Sequence, residues 1–339
     1  MKPGSGRRLR FWLAAALYLA PLAACEPDSN EDEPRWEFVF TDMPAAFLGV
    51  WGFGADDVWV VGADAGAGPW VSSYDGERWR QHTTGQRGTL WWVSGHKADR
   101  LWMAGEAGLV LRYDRGADRF TRIEGVPSSV TLYGVFEASD GRVWAVGGNG
   151  EGGRVFSLAT PSSTTFVEEV LPEGAATGRF FKVWGRSSSD LWVVGLGGDI
   201  LYRDGAGWRV FASPGGTRLT TVHGNASLAV AVGGLTEGRV VSLDAGVTDA
   251  SPPDVPPLNG VWVQADGTTV VVGAAGSVYE RRGTVWRAPS GVPASLDDYH
   301  AVYVDPEGGV WAVGGFLLVE PQRRGMLLHY GKPVSRTLE

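Results

Sequence analysis

The chain alternates short apolar runs with clusters of turn-forming residues. The stretch 180–211 is representative, with apolar runs at 180–185, 191–195, 200–203 and 208–211. β-Branched and aromatic residues fill these runs, and Gly, Asp and Ser fill the gaps between them, which is the pattern of strands joined by tight turns. Helical periodicity is absent after the first 25 or so residues. The pattern therefore predicts an all-β protein.

The same unit recurs seven times at intervals of about 40 residues. Each copy carries a glycine after an apolar run, and these repeat glycines are Gly62, Gly105, Gly147, Gly195, Gly233, Gly273 and Gly314. Each copy also carries a valine further upstream, and these repeat valines are Val50, Val93, Val135, Val183, Val222, Val261 and Val302. A tryptophan follows the valine at a fixed distance in five copies, as Trp59, Trp102, Trp144, Trp192 and Trp311.

Four short strands in each copy of this length predict one blade of a β-propeller. Large flat side chains fill the wide part of the wedge between adjacent blades, so the recurrent tryptophans are interpreted as core. The seventh copy has no fourth strand of its own, whereas residues 36–40 resemble one. We therefore predict a seven-bladed β-propeller in which the N-terminal strand pairs beside 326–330, closes the last blade and removes an exposed edge.

Charge and cysteine content restrict the class of protein further. The formal net charge is -8, and an acidic chain without clustered Lys and Arg argues against a nucleic-acid partner. The chain contains one cysteine, Cys25, so no internal disulfide can form.

The N-terminus has the layout of a secretory signal, with Lys2, Arg7, Arg8 and Arg10 before an apolar stretch at 11–20. Leu-Ala-Ala-Cys at 22–25 resembles the lipobox of bacterial lipoproteins, which implies cleavage before Cys25 and acylation of its thiol. The alternative is an ordinary signal peptide with a chance cysteine. By analogy with sorting rules, Glu26 implies a lipid anchor in the outer membrane of the cell envelope rather than the inner one.

These features divide the chain into four segments. We predict a lipoprotein signal peptide at 1–24, an acidic tether at 25–35, the propeller at 36–331 and a C-terminal tail at 332–339.

The repeat itself, exemplified by Ser-Ser-Ser-Asp-Leu-Trp-Val-Val-Gly at 187–195, resembles the repeats of bacterial propeller lipoproteins. It more loosely resembles propellers of the photosystem-assembly-factor type and the Asp-box repeats of sialidases. The resemblance covers all seven copies and implies the architecture, whereas function must be argued from a site.

Motifs for catalysis or metal binding are not found in the sequence. It lacks a Gly-x-Ser-x-Gly elbow, and an acylated Cys25 cannot serve as a nucleophile. The histidines, which fall in different copies without close-spaced pairs, are His82, His96, His223, His300 and His329. Of these, His223 and His300 lie on inner strands, where either could point into the central channel. We expect no cofactor and no metal.

Connections on one face of the predicted ring are uniform, and those on the other face vary. The variable ones are 63–69, 147–153, 172–179, 245–257, 288–298 and 315–324. Binding residues tend to lie on variable loops held by a rigid scaffold, and aromatic and Arg side chains are the best anchors. The candidate binding residues are therefore Trp70, Trp91, Arg179, Phe316 and Arg324.

These observations favour a non-enzymatic binding or scaffolding lipoprotein that takes a protein, peptide or glycan on its variable-loop face. Two alternatives stay open. One is a carbohydrate-active hydrolase or lyase with a site at the channel mouth, assembled from separate blades and therefore without a linear motif. The other is a structural surface protein. Carboxylates and arginines converging at one mouth with perturbed pKa values would favour the enzyme.

Overall fold

A computed structural model of the chain describes Met1 and residues 33–175, 178–244 and 246–339. Apart from Met1, the predicted signal peptide lies outside the described residues, as does most of the predicted tether, including Cys25. Glu33–Glu339 form one compact unit. In the described part of the chain, no helix is long and apolar enough to cross a membrane.

The described residues contain 28 strands, β1 to β28, numbered along the chain. The first is β1 (Arg35–Met43). The next four are β2 (Phe47–Gly54), β3 (Asp57–Asp64), β4 (Pro69–Tyr74) and β5 (Trp79–Gln81). They are followed by β6 (Leu90–Ser94), β7 (Arg100–Gly105), β8 (Val110–Asp114) and β9 (Arg119–Arg122). Then come β10 (Thr131–Glu137), β11 (Val143–Asn149), β12 (Gly152–Leu158) and β13 (Val167–Glu168).

The second half of the chain continues the series. It begins with β14 (Phe180–Ser187), β15 (Asp190–Gly195), β16 (Asp199–Asp204) and β17 (Gly207–Ala212). Next are β18 (Leu219–Gly224), β19 (Ala229–Gly233), β20 (Arg239–Ser242) and β21 (Thr248–Asp249). They are followed by β22 (Leu258–Val263), β23 (Thr269–Gly273), β24 (Val278–Arg282) and β25 (Val285–Arg287). The last three are β26 (Asp298–Val304), β27 (Val310–Phe316) and β28 (Arg323–Gly331).

These strands form seven four-stranded antiparallel sheets within the described residues, and each sheet is one blade. Blades one to six each use four consecutive strands, beginning with β2, β6, β10, β14, β18 and β22. The first strand of each blade contacts the first strand of the next blade, and β26 of blade seven contacts β2 of blade one. The first strands are therefore the inner strands of a closed ring. This confirms the predicted seven-bladed propeller.

The N-terminal strand completes blade seven, as the sequence predicts. In that sheet β1 pairs antiparallel with β28, and the register places Trp36 opposite Tyr330 and Phe38 opposite Leu328. Because β1 covers the outer edge of β28, the two ends of the propeller are held in one sheet and that edge is not left open.

The recurrent tryptophans lie in the wedges between blades. Trp102, Trp144 and Trp311 have no exposed surface, and Trp59 and Trp192 are buried as well. One of these tryptophans also forms a hydrogen bond between blades, because Trp102 Nε1 donates to Glu137 Oε2 of the next blade at 2.8 Å. The fully buried indoles explain why a large flat residue recurs at this point of the repeat.

One of the predicted variable connections, 147–153, is largely strand. Gly148 of β11 pairs with Gly153 of β12 and Asn149 pairs with Gly152, so only two residues remain for the turn. The sequence expectation of a loop there is wrong, because these glycines pair across the hairpin. In another variable connection, 245–257, the two residues of β21 form the outer strand of blade five.

The last residues of the chain pack on blade one. The backbone N–H of Trp79 donates to Thr337 O at 2.8 Å, and the N–H of Gln81 donates to Glu339 O at 2.7 Å. Trp79 Nε1 donates to Ser335 O at 3.1 Å. These residues after Gly331 therefore cover the outer edge of β5.

Candidate functional site

All seven inner strands carry a β-bulge at the same place. In β2, for example, Phe47 pairs with Gly62 and Gly49 pairs with Val61, so Leu48 has no partner in the ladder. The equivalent unpaired positions, two residues before each repeat valine, are Leu48, Trp91, Tyr133, Phe181, Thr220, Asn259 and His300. These are called the seven bulge residues below. A bulge redirects the side chain of the extra residue away from the pleat.

The repeat glycines make room for this bulge. A Cβ on Gly147 would lie 2.0 Å from Thr131 O, and a Cβ on Gly62 would lie 2.2 Å from Ala46 O. The same close approach occurs in all seven blades. In each one, the carbonyl oxygen of the residue two places before the bulge residue would lie 2.0 to 2.3 Å from a Cβ on the repeat glycine. The glycine recurs because only a residue without Cβ permits the approach.

The seven bulge residues all line one cavity of about 490 Å³. Since every inner strand contributes one residue, the cavity lies on the axis of the ring, and it is called the axial cavity below. Residues 296–298 and 315–318 of two variable connections also line it, so it opens on the variable-loop face. A concave site of this volume falls within the range of small-molecule pockets, which is about 300–1,000 Å³.

One wall of the axial cavity is aromatic. Trp91, Tyr133 and Phe181 follow one another on blades two, three and four, with ring centroids 5.2 Å and 5.4 Å apart in edge-to-face geometry. Leu48 and Phe316 extend the apolar surface. Trp91 Nε1 is buried and has no hydrogen-bond partner among the described residues.

The opposite wall is polar, and most of its hydrogen-bond donors are bonded to backbone carbonyls of the protein. Thr220 Oγ1 contacts Leu258 O at 2.8 Å, and Asn259 Nδ2 donates to Tyr299 O at 2.9 Å. His300 Nε2 is 3.0 Å from Gly315 O, and because a carbonyl only accepts, this nitrogen carries the proton. Burial lowers the pKa of His300, and Lys182 lowers it further, against the opposing effects of Gly315 and Asp298. The neutral ring presents Nδ1 as an acceptor.

Lys182 of blade four, which lines the axial cavity, contacts the two preceding blades. Its Nζ donates to Tyr133 O of blade three at 2.6 Å and lies 4.3 Å from the ring centroid of Trp92 in blade two. Only 8% of its surface is exposed, and within the described residues no carboxylate forms an ion pair with it. Burial lowers the pKa of Lys182 to about 7.

Three further charged groups surround the opening. Arg218, which lines the cavity, donates from Nε to Gly234 O at 2.8 Å. Asp297 is held by Arg324 at 2.8 Å, and the Arg324 guanidinium lies 5.9 Å from the ring centroid of Phe316. Asp298 accepts from the backbone N–H of Ala275 at 2.9 Å.

The structure brings together some of the residues singled out from the sequence. Trp91 and Phe316 line the axial cavity, and Arg324 contacts two residues at its rim. Arg179 is exposed beside the second-to-third-strand hairpin of blade three, where its Nε is 3.4 Å from Asn149 O. Trp70 is 7% exposed and packs on Phe47 in the core.

Other residues of the site were not singled out from the sequence. They include Leu48, Tyr133, Phe181, Lys182, Thr220 and Asn259. The available signal was positional, because each bulge residue stands two places before a repeat valine. Of the two inner-strand histidines, His300 lines the cavity, whereas the ring of His223 stacks on that of Trp262 with centroids 4.0 Å apart.

The other end of the axis is filled by aromatic side chains. Trp262 of blade six contacts His223 of blade five and Tyr303 of blade seven. It also contacts Trp51 of blade one, and the two ring centroids are 5.2 Å apart although blade seven stands between blades six and one in the ring. These contacts join aromatic rings from four blades near the axis. In the described residues, no three His, Cys, Asp or Glu side chains lie close enough together to hold a metal ion.

The fold and the axial cavity place the chain in the structural class of seven-bladed β-propellers. It is similar in structure to a streptogramin B lyase, with a TM-score of 0.70 and 15% identity over 88% of this chain and 98% of that one. It is also similar to YCF48 from Cyanidioschyzon merolae, with a TM-score of 0.65 and 15% identity over 87% of this chain and 98% of that one.

A third similar structure is the WD40 propeller domain of Doa1, with a TM-score of 0.66 and 11% identity over 89% of this chain and 99% of that one. No family model matches the sequence. No curated protein matches it either. At these identities the likeness concerns the fold alone.

Proposed function

We propose that this protein is a non-enzymatic binding protein of the bacterial cell envelope whose ligand enters the axial cavity from the variable-loop face. The observation that carries the proposal is the convergence of the seven bulge residues on one cavity. Bulges are over-represented next to functional sites, where they redirect a side chain, and a concave cavity of this volume is typical of a small-molecule site. A propeller fold is compatible with this role.

The cellular location is the second part of the proposal. Lys2 and the arginines before the apolar stretch, followed by Leu-Ala-Ala-Cys, support export and a lipid anchor on Cys25, in the outer membrane. Mass spectrometry of the protein extracted from bacterial membranes is expected to find an acylated N-terminal Cys25 after loss of residues 1–24. A Cys25→Ser variant is expected to leave the membrane fraction. A free thiol on Cys25 would contradict the anchor.

Binding is tested with purified full-length protein in detergent and mixtures of monosaccharides, dipeptides and aromatic acids, using saturation-transfer NMR. Phe181→Ala removes part of the aromatic wall and is expected to weaken binding of any ligand found by about tenfold or more. The matched control is Phe211→Ala, a half-buried aromatic of the outer strand β17 in the same blade, which is expected to leave affinity unchanged. Equal loss in both variants, or no binding from any mixture, would contradict the proposal.

The same spectra test the second candidate, a carbohydrate-active hydrolase or lyase. What favours it is that His300 and Lys182, both with lowered pKa values, line the cavity together with Asp297 and Asp298. Groups of this kind can exchange protons near neutral pH. Conversion of a bound sugar over hours would support this candidate, and persistence of its unchanged signals supports the binding protein.

A further inference from the structure

The axial cavity holds two cationic groups without acidic partners in the described part of the chain. The carbonyl of Tyr133 takes one hydrogen of the Lys182 ammonium, and the carbonyl of Gly234 takes the Nε–H of Arg218. Neither group forms an ion pair with a described carboxylate, whereas Asp297 at the rim is already paired with Arg324. The cavity therefore offers unused N–H donors with positive charge, as a carboxylate or another oxyanion requires.

The polar wall has the opposite character. Asn259 and His300 each donate one N–H to a backbone carbonyl, which leaves the Asn259 Oδ1 and His300 Nδ1 acceptors together with the second N–H of the Asn259 amide. The Asp298 carboxylate adds further acceptor oxygens on the same side. A ligand that matches this wall must bring several hydrogen-bond donors, such as hydroxyl groups.

The aromatic wall requires an apolar face. Trp91, Tyr133 and Phe181 line one side of the cavity across three blades. A pyranose ring has both properties, since its hydroxyls project around the edge and its C–H groups form an apolar face that packs on aromatic side chains. The volume of about 490 Å³ accommodates one or two such rings.

We propose that the axial cavity binds a carboxylate-bearing sugar of one or two rings, with the carboxylate on Lys182 and Arg218, the hydroxyls on the polar wall and the ring face on the aromatic wall. This inference rests on the proposed binding function and specifies its ligand class.

The test compares three probes by isothermal titration calorimetry on the full-length protein. D-Glucuronate carries the carboxylate, the hydroxyls and the ring. D-Glucose lacks the carboxylate, and benzoate lacks the hydroxyls. Glucuronate is expected to bind at least about tenfold more tightly than either. Lys182→Met keeps the length of the side chain and removes its charge, and it is expected to abolish this preference over glucose, as is Arg218→Gln. Lys97→Met, on the exposed turn at the opposite face, is the matched control and is expected to retain the preference.

The outcomes separate the two proposals. Glucose binding as tightly as glucuronate, or benzoate binding more tightly, would overturn the sugar-acid assignment while leaving the binding function intact. The sugar-acid assignment would also be overturned if a component of the mixtures binds and Phe181→Ala weakens that binding, but glucuronate does not bind. Should Lys182→Met fail to fold, as judged by its near-UV circular dichroism, Arg218→Gln alone decides, because Arg218 is half-exposed at the cavity wall.

The pH dependence gives an independent readout. The ammonium form of Lys182 binds the carboxylate, and with the pKa of Lys182 lowered to about 7 that form is lost as the pH rises. The other charged groups facing the cavity are Arg218, Asp297 and Asp298, and the pKa of His300, which also lines the cavity, is lowered chiefly by burial. Glucuronate affinity is therefore expected to fall by about tenfold between about pH 6 and about pH 8. Lys182→Met is expected to remove the slope, and a flat profile in the wild-type protein would contradict the role of Lys182.

Discussion

Acidification from about pH 6.5 to about pH 4.5 is expected to lower the free energy of unfolding by about 5–7 kcal/mol. Three histidines cause the effect, and for one of them, His223, burial lowers the pKa to about 3. Burial lowers the pKa of His329 to about 4. Burial and the positive charge of Arg80 lower the pKa of His82 to about 4, while the negative charge of Asp118 acts in the opposite direction. His329 is 2% exposed and His82 is 8% exposed.

The sign follows from the proton that each state binds. In the unfolded chain a histidine takes up its proton near pH 6.5, whereas the folded protein keeps all three rings neutral down to about pH 4. Between these values the unfolded state binds more protons, so stability falls with decreasing pH by up to about 1.4 kcal/mol per unit for each ring. The contribution is fully present above pH 6.5 and is lost as the pH approaches the folded pKa.

Guanidinium unfolding curves at half-unit pH intervals measure this effect. His329→Phe keeps an aromatic ring against Trp311, whose centroid lies 4.0 Å from that of His329, and is expected to remove about a third of the slope. His96→Gln, at an exposed turn, is the matched control and is expected to keep the full slope. A slope that is unchanged in His329→Phe would show that other groups govern the acid transition.

Gly147→Ala is expected to destabilise the propeller by at least about 3 kcal/mol. The new Cβ would lie 2.0 Å from Thr131 O and 2.8 Å from Leu132 Cα, and both atoms belong to backbone that cannot rotate away. Relief requires β10 and β11 to separate at the position where the bulge places Tyr133 in the axial cavity.

The matched control lies three residues away in the same hairpin. At Gly150 an added Cβ meets nothing within 4 Å, so Gly150→Ala is expected to change stability by less than about 0.5 kcal/mol. Thermal and denaturant unfolding of both variants provide the comparison. Equal midpoints would mean that the close approach to Thr131 does not explain the repeat glycine.

The repeat spacing alone was sufficient to predict the ring and its closure. A strand at 36–40 could be assigned to blade seven because a blade needs a fourth strand, and β1 pairs with β28 as that argument requires. This part of the fold is predictable because every copy packs between two neighbouring blades in the same way. The same residue types, a glycine, a valine and a tryptophan, therefore recur at the same positions of the repeat.

The axial cavity was less predictable because a bulge shifts the alternation of side chains. Strict alternation from Val135 would place Tyr133 on the same side of the strand as the valine, yet the bulge turns it towards the axis. Trp70 illustrates the converse error, since it stands at the end of a variable connection but begins β4 and is covered by Phe47. Residue type and loop position singled out Trp91 and Phe316, and strand position singled out His300, whereas Lys182, Thr220 and Asn259 were located only in the structure.

The bulge separates the residues that pack between blades from the residues that face the axis. At these seven positions the side chain leaves the ladder, while the residue before it keeps its pairing and its place in the core. Each blade thus presents one residue that can be exchanged without altering its own sheet. Related chains with the same architecture could diverge in what they recognise by single changes at these sites, and grafting another set of seven residues onto this framework is a direct route to a new specificity.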